Sequence, residues 1–214
     1  MILVKSAFFS LTRVCRQIRA EFLPVYMERT QIAIDVYDLD EGYIPTFLTP
    51  SGTKNEDAAG DLVIAMFVAD EACYYDVTPI IRLAQQAKRL RVTIAYSKDY
   101  LSSHGYDFLT LANKFFDPAG APLLHEYLQG QVEKIKLFVD DGLPSIFFQL
   151  YLRKGFYEQD WMDEWDYRYK CFADPISGDT GKSLGRWGKE RGLEIDSGYR
   201  DVGWFIGFHR SFTV

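Results

Sequence analysis

The sequence predicts an α+β fold, with a mixed, largely antiparallel sheet packed against several amphipathic helices. Three observations carry that expectation. Segments of two-residue and helical periodicity follow one another in irregular order rather than in strict alternation. A β-hairpin signature occupies 133–152, where Glu133 to Val139 and Ser145 to Leu152 flank the turn residues Asp140, Asp141 and Gly142. The returning arm carries Ile146, Phe147, Phe148 and Tyr151, the branched and aromatic side chains that fit a half-buried pleated surface.

From the N-terminus, Leu11, Val14, Cys15, Ile18, Phe22 and Val25 share one arc of a helical wheel, and Arg13, Arg16 and Arg19 share the opposite one. Pro24 has no amide proton, so that helix kinks or restarts there. Gln31 to Tyr37 alternates as a half-buried strand, with Ile32, Ile34 and Val36 on one side. Asp38 to Gly60 reads as a long loop or insertion around the small island Tyr43 to Leu48. Leu62 to Ala69 is continuously apolar, as a buried central strand or a short buried helix would be. Thr78 and Pro79 predict a helix start, the threonine oxygen capping free amides and the helix running Pro79 to Leu90 before a strand at Arg91 to Tyr96.

Helical spacing returns at Tyr106 to Phe116 and at Leu123 to Gln129, the second closed by Gly130 as a left-handed cap. After the hairpin, Tyr157, Trp161, Trp165 and Tyr169 recur every fourth residue, which gathers them near one side of a helix. Residues 1–172 are expected to form a single α+β domain. The glycine-rich extension 173–214, with a last strand near Trp204 to Phe208, is expected to fold back onto it.

A chain of 214 residues that is 48% hydrophobic and 16% aromatic has enough apolar side chain for a substantial core without disulfides or metal. Its 24 basic and 30 acidic side chains leave a net charge of −6, which repels a nucleic-acid backbone on average, so no nucleic-acid partner is expected. Cys15, Cys73 and Cys171 are odd in number and far apart, which suits reduced thiols in the cytoplasm or nucleus. The apolar start, Met1 to Leu11, runs into Arg13 and Arg16 without a cleavage site, so no signal peptide is expected. The longest later apolar run is far shorter than the roughly 20 residues a membrane-spanning helix needs, and no membrane partner is expected.

Motifs for chemistry are few. Gly178 to Ser183 ends like a phosphate-binding loop, but the glycine required five residues before Gly181 is Ile176, so an ordinary turn is the better reading. His125 and Glu126 begin like a zinc-protease helix, yet Gln129 stands where the second histidine is needed, leaving a surface or capping histidine. His104 follows two serines without a nucleophile-elbow frame and reads as part of a loop before a helix. Glu158, Asp160, Asp163, Glu164 and Asp166 could pair with tryptophans in a sugar-type site, although a helix with aromatics inward and acids outward explains them more simply. No metal or cofactor, and no catalytic residue, is expected.

The run Leu11 to Tyr26, LTRVCRQIRAEFLPVY, resembles the LLRVCRQIRAE-x-LP-x-[FY] segment of a large group of fungal F-box-like proteins, with a looser likeness to about residue 95. The resemblance implies a filamentous fungal origin and an intracellular protein-interaction domain without catalytic residues. Members often carry an F-box-like helical segment upstream that this chain starts too late to contain, so binding to a ubiquitin-ligase adaptor is not implied. The leading expectation is therefore a non-enzymatic interaction domain with an unidentified protein partner. Its candidate binding residues are Arg13, Arg16 and Arg19 on the basic helical face and Trp161 and Trp165 in the acidic aromatic stretch. The alternative is a small-molecule-binding protein or an enzyme with an unrecognised pocket, using Glu158, Asp163 or His104.

Overall fold

Apolar strands that alternate poorly are buried on both faces, and the run after Gly60 is the clearest case. In the computed structural model, which describes residues 25, 31–36, 39, 44, 48–49, 54–66, 73–96, 103–139, 146–156, 186–193 and 206–210, that run is the middle of a three-stranded parallel sheet. Its strands are β1 (Gln31–Asp35), β2 (Ala59–Met66) and β4 (Arg89–Tyr96), in the order β1-β2-β4. The register lines up Ile34, Ile64 and Ile94 in one row, all buried, and every residue of β2 from Leu62 to Met66 is buried.

The outer edge of β4 is closed by a side chain. Asn113 accepts the Ile94 amide proton at 2.7 Å through Oδ1 and donates from Nδ2 to the Ile94 carbonyl at 3.3 Å. One amide side chain thus imitates the next strand at a single rung and satisfies two groups an edge would leave open. It is supplied by α2 (Ser103–Lys114).

The second sheet has four strands, β3 (Cys73–Asp76), β5 (Val132–Val139), β6 (Ile146–Leu152) and β7 (Ile206–Arg210), in the order β3-β5-β6-β7. β3 and β6 both run antiparallel to β5, whereas β7 joins β6 in parallel. Period-two alternation sends Ile135, Leu137 and Val139 of β5 and Phe148, Leu150 and Leu152 of β6 to the core. There Phe115, just after α2, stacks on Phe148 with ring centroids 4.1 Å apart and planes 6° from parallel. One cluster of buried side chains joins both sheets with α1 (Thr78–Gln86) and α3 (Pro122–Gln131), through Ile80, Ile81, Leu124 and Leu128.

The α+β class and the hairpin are therefore where the sequence places them, and the division of the strands is a finding of its own: they form two sheets, one of them wholly parallel. Several local expectations are corrected. Thr78 does not cap α1 with its side chain; its hydroxyl donates to the Ile135 carbonyl at 3.3 Å and accepts the Ile135 amide proton at 2.7 Å. Asp76 takes the capping part instead, its Oδ1 accepting the Thr78 amide at 3.0 Å. α1 ends at Gln86 because Ala87 turns extended, and Arg89 and Leu90 already belong to β4.

Gly130 lies inside α3 with no left-handed backbone, and the chain passes from Gln131 directly into β5. The glycine that does close a helical turn is Gly192, at φ 72°, after residues 186–190. Its amide donates to the Lys189 carbonyl at 3.1 Å and that of Leu193 to the Gly188 carbonyl at 2.9 Å, the paired bonds of a Schellman ending. Trp187 and Leu193, on either side of it, are both in the core.

Candidate functional site

The face of the four-stranded sheet turned away from the core carries a mixed polar and aromatic set. The same alternation that buries Ile135 and Leu137 places Lys134, Lys136 and Phe138 on the opposite side. Register then sets Tyr74 of β3 beside Phe138, Asp76 beside Lys136, and Gln149 of β6 on the other flank of Lys136. The Lys136 ammonium stands 5.9 Å from the centroid of the Tyr74 ring and 5.3 Å from that of Tyr151, a cation held between two aromatic faces. Beside it the Tyr74 and Phe138 rings meet at 4.7 Å.

Burial divides this face into a floor and a rim. Phe138 and Gln149 are each only 6% exposed, and Tyr74 is 44% exposed at the edge of the sheet. The Tyr151 hydroxyl donates to Gln149 Oε1 at 3.2 Å. Lys134 is paired with Asp76 at 3.0 Å, while Lys136 has no carboxylate partner among the described residues. Burial pushes the Asp76 carboxyl up, but Thr78 and Lys134 together hold it below the ordinary carboxylate range. Such a face suits a carboxylate with an apolar neighbour, the carboxylate meeting Lys136 and the neighbour lying against Tyr74.

A second polar cluster lies where the helices converge. His125 of α3 is 5% exposed, with Nε2 donating to the Lys114 carbonyl at 2.9 Å and Nδ1 accepting from Gln85 Nε2 at 2.9 Å. The Lys114 ammonium in turn donates to the Gly192 carbonyl at 2.7 Å. Two residues along α3, the Tyr127 ring meets Trp187 edge-on at 5.2 Å. The Arg191 guanidinium covers both, 4.4 Å from the Tyr127 centroid and 4.7 Å from that of Trp187, and donates to the Trp187 carbonyl at 3.0 Å. Burial raises the Tyr127 hydroxyl to about 12 against the opposing influence of Arg191 and Trp187, so it stays a neutral phenol. These contacts tie 186–193 to α2 and α3.

The candidate residues Arg13, Arg16, Arg19, Trp161 and Trp165 lie outside the described residues, as do Glu158, Asp163 and the Gly178 to Ser183 turn. His104 falls in the first turn of α2 rather than in a loop before it. His125 is not on the surface: it caps the C-terminal end of α2, and burial lowers its affinity for a proton. Cys73 is a free thiol on β3, and Cys15 and Cys171 lie outside the described residues. No group of three metal-ligating side chains occurs among the described residues, and no helix there is long and apolar enough to cross a membrane.

The Tyr74, Lys136 and Tyr151 set escaped the sequence reading because its members meet only through strand register. The signal that could have found it is the minor alternation of the hairpin, Lys134, Lys136 and Phe138, read as a surface in its own right. No family model, no curated protein and no solved structure matches this chain.

Proposed function

We propose that this chain is a protein-interaction domain that works by binding rather than catalysis, and that it docks an acidic, aromatic-flanked segment of a partner protein on the outer face of its four-stranded sheet. The observation that carries this reading is the Lys136 ammonium between the Tyr74 and Tyr151 rings, with no carboxylate to neutralise it among the described residues. A lysine so placed has already lost much of its side-chain freedom, which lowers the entropic cost of binding an anion. The exposed Tyr74 ring beside the buried Phe138 gives the amphipathic contact area on which interface hot spots depend. The free Cys73 thiol agrees with an intracellular setting. The likeness of Leu11 to Tyr26 to fungal F-box-like proteins points to the same class of function.

Panning a peptide display library against the immobilised protein tests this. Peptides with Glu or Asp next to an aromatic or branched residue should be enriched, and the enrichment should vanish on the Lys136→Glu variant. Peptides without acidic residues, or acidic peptides retained equally by the variant, would rule the face out.

A further inference from the structure

The outer face of the four-stranded sheet and one stretch of the same chain are chemically complementary. On the face, the Lys136 ammonium lies 5.9 Å and 5.3 Å from the Tyr74 and Tyr151 ring centroids, with no carboxylate partner among the described residues. Lys134 beside it is already paired with Asp76 at 3.0 Å, so Lys136 is the one of these two lysines open to an incoming anion. A carboxylate with an aromatic ring next to it satisfies both the cation and the tyrosines. The sequence supplies that combination twice, as Asp160 before Trp161 and as Trp165 between Glu164 and Asp166. Glu158 and Asp163 add to the same charge, and the first base after them is Arg168. Tyr157 to Asp166 lies outside the described residues, and its composition is what matches the face.

We propose that the partner docked on this face is a second copy of this chain, which brings the carboxylates of its Tyr157 to Asp166 stretch to Lys136 and a tryptophan of that stretch to Tyr74. This rests on the docking reading of the same face and names its partner. Each copy carries both the face and the stretch, so a reciprocal exchange makes the contact twice and closes a twofold dimer.

The exposure of Tyr74 favours exchange between copies over docking within one chain. A stretch tethered by its own backbone would meet its own face at an effective concentration of about a millimolar and would cover the ring. Tyr74 instead keeps 44% of its surface. The net charge of −6 on each copy opposes approach, so the dimer is a weak one that forms as concentration rises.

Sedimentation equilibrium of the intact chain across micromolar concentrations tests this. The weight-average mass should climb with concentration towards twice the monomer value. Lys136→Glu sets an acid against the acidic stretch, and Asp160→Lys combined with Glu164→Lys sets bases against Lys136, so each of these variants alone should stay monomeric. An equimolar mixture of the two restores opposite charges at both contacts and should regain the dimer. A synthetic Tyr157 to Asp166 peptide should dissociate the wild-type dimer and bind Lys136→Glu about tenfold more weakly than the wild type. That peptide measurement decides the matter if the double variant does not fold. A wild-type chain that stays monomeric at every concentration while still binding acidic peptides from the display library would overturn the second copy and leave the docking face standing. A face that binds no acidic peptide would overturn both. A dimer retained by Lys136→Glu, or a peptide bound equally by that variant, would also overturn the proposal.

Discussion

The two sheets solve the same problem with opposite patterns. In the three-stranded sheet, β2 is paired in parallel on both edges and buried on both faces, so Leu62 to Met66 is apolar without interruption. In the four-stranded sheet, β5 gives only one face to the core and the other to Lys134, Lys136 and Phe138. The comparison teaches where function can be placed. A strand with no polar face has nothing to offer a partner, whereas alternation leaves β5 a second surface on which a cation and two tyrosines meet.

The contrast can be broken from the core side first. Phe148→Ala removes the ring stacked on Phe115 and fully buried between the sheet and α2, so it should cost about 3–5 kcal/mol in chemical denaturation, with a cavity at the junction. A loss below about 1 kcal/mol would mean that the core face has been misassigned.

A middle-sized effect tests how the parallel sheet ends. Asn113→Ala deletes both bonds to Ile94 and leaves two backbone groups of β4 unsatisfied, for an expected loss of about 1–3 kcal/mol. Exchange of the Ile94 amide should rise more than that of Ile64 in the middle strand. Equal rises would show that β4 is not held by this side chain.

The smallest effect on stability belongs to the outer face of the other sheet. Tyr74→Ala removes an exposed ring at the edge and should change stability by no more than about 0.5 kcal/mol while weakening capture of acidic peptides. A large drop in melting temperature would make Tyr74 a structural residue and weaken the case for a docking face.

Much of the framework was legible because periodicity reports burial directly. The hairpin and the helix at Leu123 could be placed from spacing, with ends shifted by a few residues where backbone geometry decides, whereas the run at Leu62 was legible as buried but left strand and short helix both open. Asn113, His125 and Lys136 were not legible in this way. Each acts through a partner 11 or more positions away, with |i−j| of 19 for Asn113 and Ile94 and 11 for His125 and Lys114. Lys136 meets Tyr74 and Tyr151 only once three strands are in register. Gly130 misled for a related reason: glycine permits a left-handed cap but does not require one, and here α3 continues through it into β5.

The most direct test of the docking face is a charge swap. An acidic peptide selected on the wild type and its Lys-for-Glu counterpart would each be titrated against the wild type and against Lys136→Glu, with melting temperatures recorded for both proteins. The account predicts that the acidic peptide binds only the wild type, that the basic counterpart recovers binding on Lys136→Glu, and that the two proteins melt at nearly the same temperature. Acidic peptide bound equally by both proteins, with no recovery by the swapped pair, would contradict it.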